Sequence, residues 1–69
     1  MKNKPLYMNI LAEMSRNNIT QKELANRLGI SNVSVHSKLY GNIEWKKKEI
    51  DYIIDMFSMD YDYLFKTRK

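Results

Sequence analysis

Residues 20–40 read TQKELANRLGISNVSVHSKLY, and this stretch decides the fold. Thr20 can cap a helix N-terminus, and Glu23, three residues on, can reach back to the cap: a T-x-x-E capping box. Leu24, Ala25 and Leu28 then recur at helical spacing on one face. Gly29 stands where that helix must stop, because glycine tolerates the left-handed conformation a helix end commonly needs. Ser31 can cap a second helix, whose inward face is Val35 and Leu39, four residues apart. The stretch predicts two short helices joined by the tight turn Leu28-Gly29-Ile30-Ser31.

Toward the N-terminus, Pro5 suits the first turn of a helix, where its missing N–H costs nothing. Leu6, Tyr7, Ile10, Leu11 and Met14 follow with a 3.6-residue period and predict a helix to about Arg16. Asn17-Asn18 ends it, and Ile19 precedes Thr20 as a hydrophobic staple would. Toward the C-terminus, Tyr40-Gly41-Asn42 is a second turn. Ile43 and Trp45 are apolar residues in a loop and are expected to pin it to the core. Ile50, Ile53, Ile54 and Phe57 make the apolar stripe of a helix from about Lys47 to Phe57. Asp60 can cap a last short helix with Tyr61, Leu64 and Phe65. Most of Tyr52, Tyr61, Tyr63, Met56 and Met59 are expected to close the core, with a dimer surface as the functional alternative. No strand, repeat, low-complexity segment or linker is legible. The chain reads as one all-α domain over 1–69, with 1–4 a loose arm and 66–69 a basic tail.

Sixty-nine residues make one small core, and a chain of this size buries only about 60% of its unfolded surface. The absence of cysteine excludes a disulfide scaffold and a thiolate metal site, and suits the cytosol. The lone His36 cannot build a metal site. Asp51 and Asp55, four apart, and Asp60 with Asp62 lack the glycine turn of a calcium loop and read as a solvated helix face and a cap. No nucleophile–base pair, phosphate-cradling glycine loop or metal cluster is present in the sequence, so neither an enzyme nor a cofactor is expected. The apolar runs are too short to span a bilayer. MKNKPLYMN lacks the apolar core and cleavage site of a signal peptide, so a cytoplasmic location is expected.

The net charge is +4 and the pI about 9.4, which favours an anionic partner. The distribution says more. Nine of the twelve basic residues lie in 1–48, with three acids (Glu13, Glu23, Glu44). Residues 49–62 hold five acids and no base.

Thr20-Gln21, Glu23-Leu24-Ala25, Leu28-Gly29-Ile30-Ser31, Ser34-Val35 and Lys38-Leu39 together resemble the helix-turn-helix of the Cro/C-type (XRE) repressor family. The small Ala25 fits a place where two helices cross closely. The likeness extends from about Leu6 to Phe65 and takes in Gly41-Asn42-x-x-Trp45, Glu49-Ile50 and Tyr63-Leu64-Phe65. Lys47, where the family usually has an apolar residue, and Ser58, where it often has glycine, depart from it. The resemblance implies a five-helix, lambda-repressor-like DNA-binding domain with the helix-turn-helix as its second and third helices.

In such a motif the second helix enters the major groove and its N-terminal end reaches base edges. Ser31, Asn32, Val33, Ser34, Ser37 and Lys38 are therefore the expected base contacts. Asn32 can pair with adenine, Val33 can touch a thymine methyl, and Lys38 can meet a guanine or a phosphate. Gln21, at a helix start, is expected on phosphate, a role carried over from the family. Lys46, Lys47 and Lys48 oppose a helix macrodipole unless a phosphate lies near. They are expected on the DNA backbone, with Tyr40 and Asn42 helping from the preceding turn. His36 is expected as a surface residue. The function implied is a sequence-specific double-stranded DNA-binding regulator, a phage or mobile-element repressor acting as a homodimer. The dimer would form through helix five and the Tyr61–Phe65 surface, since the chain leaves no length for a dimerisation domain. The alternative is a protein-binding regulator, antirepressor- or antitoxin-like, that keeps the fold without DNA binding.

Overall fold

The computed structural model describes residues 4–67. The first three residues of the expected arm and the last two of the expected basic tail lie outside them. Five helices follow in order: α1 (Met8–Arg16), α2 (Gln21–Leu28), α3 (Asn32–Leu39), α4 (Lys47–Phe57) and α5 (Tyr61–Leu64). No strand occurs among the described residues, so the chain is all-helical there.

Side chains start the two central helices. Thr20 Oγ1 accepts from the Glu23 N–H at 3.1 Å, and Ser31 Oγ accepts from the Ser34 N–H at 3.1 Å. Each satisfies one of the donors a helix start leaves free. Glu23 turns the other way, to Arg27 at 3.0 Å.

Three helices end by one device, a residue at positive φ followed by two backward hydrogen bonds. After α2, Gly29 sits at φ 73°, with Ile30 N–H donating to Ala25 O and Gly29 N–H to Asn26 O. After α3, Gly41 sits at φ 87°, with Asn42 N–H donating to Ser37 O and Gly41 N–H to Lys38 O. After α1, Asn18 sits at φ 56°, with Ile19 N–H donating to Met14 O and Asn18 N–H to Ser15 O. These are Schellman motifs, and they place Ile19 and Ile30 against the core as each helix turns away.

The core draws on every helix: Ile10 and Met14 from α1, Leu24 and Ala25 from α2, Val35 and Leu39 from α3, Ile53 and Phe57 from α4, Leu64 from α5. Trp45, from the loop before α4, completes it. The broadest helix–helix contact is between α2 and α3, where Ala25 is buried.

The structure departs from the sequence reading in four places. Pro5 precedes α1 instead of opening it. Leu6 and Tyr7 form a non-helical strap whose N–H groups both donate to Leu39 O, at 2.9 and 3.2 Å. They satisfy a carbonyl that the end of α3 leaves free, so the strap has a better partner than a further turn of α1. Ile43 is 48% exposed and pins nothing. Tyr52, Tyr61 and Met59 are also exposed, so most of the C-terminal aromatic and thioether group does not close the core. Asp60 stands at the N-cap of α5 without a side-chain bond.

The strap explains the second glycine. A Cβ on Gly41 would lie 2.6 Å from Leu6 Cδ2 and 3.3 Å from Leu6 Cβ, whereas one on Gly29 would meet nothing within 4 Å. Both replacements incur the left-handed penalty of about 1–2 kcal/mol. Gly41→Ala must also move the Leu6 side chain, so its thermal melt is expected below that of Gly29→Ala. Equal melts would mean that the Leu6 side chain yields freely.

Candidate nucleic-acid interface

Val35, Lys38 and Leu39 are the buried residues of α3. Positions i, i+3 and i+4 share a helix face, so Val33 and Ser37, continued by Tyr40, lie opposite the buried residues, with Asn32 and His36 together on one flank. Asn32, Val33 and His36 are exposed, and Ser37 and Tyr40 are half-buried. Val33 is 75% exposed, which costs hydration free energy with no return from packing in this chain. His36 and Tyr40 stack with ring centroids 4.2 Å apart and planes at 24°. The stack limits the freedom of two side chains on this face.

Ser31 and Ser34 lie at the edge of the same helix start. Ser31 Oγ caps the helix and also lies 3.0 Å from Ser34 Oγ, so both hydroxyls are engaged locally. Each keeps a lone pair or a rotatable proton for an outside partner.

Gln21, the first residue of α2, meets this face. Gln21, Asn32, Val33 and His36 line one open cleft of about 250 Å³. Among the described residues, no carboxylate, lysine or arginine lines it. Gln21 Oε1 is buried and has no hydrogen-bond partner among the described residues. A buried, unpaired amide oxygen is costly and calls for a donor. The cleft thus combines an amide in need of a partner, a second amide free to donate and accept, an imidazole and two methyl groups. That set can read the edge of a flat, hydrogen-bonding ring.

Lys38 needs correction. Expected on a base or phosphate, it is only 4% exposed, and its Nζ lies 2.6 Å from Glu49 Oε1. The reason is its place three residues after Val35, which turns it inward beside Leu39. Glu49 is 2% exposed, and the same oxygen accepts the Lys46 N–H at 2.9 Å, half of a capping box at the start of α4. Burial alone would push the Glu49 carboxyl up. The Lys38 ammonium and the Lys46 N–H outweigh it and hold the pKa below the ordinary value. Lys38 Nζ also lies 6.0 Å from the Trp45 ring centroid. This cluster ties the end of α3 to the beginning of α4.

His36 is exposed, as expected, and lies three residues after Val33 and four after Asn32, so the helical period brings it into the same cleft.

Lys46, Lys47 and Lys48 are all exposed at the N-terminal end of α4. Lys47 reaches Asp51 at 3.2 Å, a surface pair of little energetic weight. Lys48 lines a separate cleft of about 200 Å³ with Arg27, Leu28, Glu49 and Tyr52. Asn42 is exposed in the turn after α3. The triplet is therefore not in the Gln21–His36 cleft. No helix among the described residues is long and apolar enough to cross a membrane. No protein-family model, curated protein or solved structure matches the chain.

Proposed function

We propose that the chain is a sequence-specific double-stranded DNA-binding regulator in which α2, the Gly29 turn and α3 act as a helix-turn-helix within a lambda-repressor-like domain. One observation carries the reading. A capped helix presents Asn32, Val33, His36 and Ser37 on one outward face, directly beside Gln21 at the start of the preceding helix. In this reading α3 lies in the major groove, Asn32 pairs with a base edge, and Val33 packs on a thymine methyl. His36 and Ser37 reach the next bases, with Ser31 and Ser34 at the edge. The Gln21 amide NH2 and the free N–H groups of α2 donate to a phosphate, which leaves Gln21 Oε1 for a donor on a base edge, and Lys46–Lys48 with Tyr40 and Asn42 supply further backbone contacts. Lys38 is not among them; it braces α3 from behind.

A face of four residues discriminates too little for a genome, so the reading includes a homodimer on a two-fold operator. The expected operator is an inverted repeat with half-site centres about 10 base pairs apart. Selection from random duplexes, followed by footprinting and the mass of the complex, tests it. A single asymmetric half-site with a one-to-one complex would remove the dimer. No duplex binding even at low salt would remove the reading itself in favour of a protein-binding regulator.

A further inference from the structure

A third cleft, of about 250 Å³, is lined by Tyr7, Glu44, Trp45, Ile50, Tyr61 and Phe65; it makes none of the proposed DNA contacts, and its Tyr61–Phe65 edge borders the surface expected to pair in a dimer. Four of the six are aromatic. Tyr7, Trp45 and Phe65 meet edge to face, with centroids 6.2, 6.0 and 5.9 Å apart, so their π-faces turn in different directions. Tyr61 stacks on Phe65 at 5.1 Å and remains 53% exposed, a large ring left in water at the edge of the cleft.

The electrostatics of the cleft have one sign. No lysine or arginine among the described residues lines it, and Glu44 contributes an exposed carboxylate. The Tyr7 phenol is held above its ordinary pKa, first by burial and then by Tyr61 and Glu44 beside it. Trp45 already serves one cation, since the Lys38 ammonium lies 6.0 Å from its ring centroid and is neutralised by Glu49. The cleft is smaller than the roughly 300–1,000 Å³ of sites that take drug-sized ligands, so it suits a single headgroup.

We propose that this cleft binds a small organic cation, of the quaternary-ammonium or alkylammonium class, on the π-faces of the Tyr7–Trp45–Tyr61–Phe65 group, with Glu44 as counter-charge. Aromatic faces attract such a cation through their quadrupoles, and the carboxylate adds a Coulombic contribution at the rim. The neutral phenols of Tyr7 and Tyr61 offer acceptor oxygens without repelling it.

Trp45 is the only tryptophan, so its emission and its indole N–H resonance report on a residue that lines this cleft. The full chain is titrated with choline and, separately, with 3,3-dimethyl-1-butanol, which has the same shape without the charge. Ionic strength is matched with sodium chloride. The expected result is a saturable change at Trp45 with choline binding about tenfold tighter than the alcohol. Glu44→Gln, an exposed loop change that should leave the melt unaltered, is expected to remove most of that preference. Tyr61→Ala is expected to weaken choline in the same way. Equal affinity for the two probes, a change that never saturates, or a choline affinity indifferent to Glu44→Gln would each overturn the proposal.

Discussion

Glu49→Ala is expected to cost about 3–5 kcal/mol, because it leaves the Lys38 ammonium buried without a counter-charge. A chain of 69 residues has a total stability of only about 3–10 kcal/mol, so the variant should lose a large fraction of it and melt far below the parent. The pair itself is not a strong source of stability, since two charges withdrawn from water give up most of what they gain from each other. The double variant Lys38→Met, Glu49→Leu should therefore recover most of the loss. It should not recover all of it, because the Lys46 N–H also loses its acceptor, a bond worth about 1 kcal/mol. Urea melts of the single and double variants decide this, and a single variant as stable as the wild type would show that Lys38 escapes to water. The same cluster sets a pH dependence. The folded carboxyl titrates below its unfolded value, so its contribution is complete above the ordinary glutamate pKa of about 4.3. It is lost as pH falls through the depressed folded value.

Replacing Lys46, Lys47 and Lys48 together by glutamine is expected to move stability and DNA affinity in opposite directions. Three cations at the start of α4 oppose its dipole, at about 0.3–1 kcal/mol each. Their removal should raise the melt slightly, with only the weak Lys47–Asp51 pair lost. DNA affinity should fall. A dimer holding about eight phosphates has a slope of log K against log salt near −7, and each lysine on a phosphate contributes about 0.9 per protomer. One such lysine per protomer flattens the slope by about 2, and the loss is the same for every sequence. Asn32→Ala contrasts with this: it should relax preference at one base position per half-site, by about 1–3 kcal/mol. An unchanged slope in the lysine variant would take the triplet off the backbone.

Local rules read from the sequence determined the helices and their ends. Thr20, Gly29, Ser31 and Gly41 act on backbone groups within five residues of themselves, and α4 occupies the span its apolar stripe marks. The inward faces of α2 and α3 follow from the same short-range period, and Ala25 is buried where a small residue was required. The tertiary structure decided what distant residues do to one another. Lys38 and Glu49 are eleven residues apart on different helices, and only the closed fold, which brings the start of α4 to the end of α3, buries both and removes Lys38 from the outer face. The Leu6–Tyr7 strap takes its partner from Leu39, across more than thirty residues, so no local pattern could distinguish it from a first helical turn. The cleft of Tyr7, Glu44, Trp45, Tyr61 and Phe65 draws on both ends of the chain. Each of these residues had an ordinary local reading in the sequence as surface or core. Their shared environment exists only once the chain has closed, because desolvation and charge proximity depend on position in space and not on order along the chain.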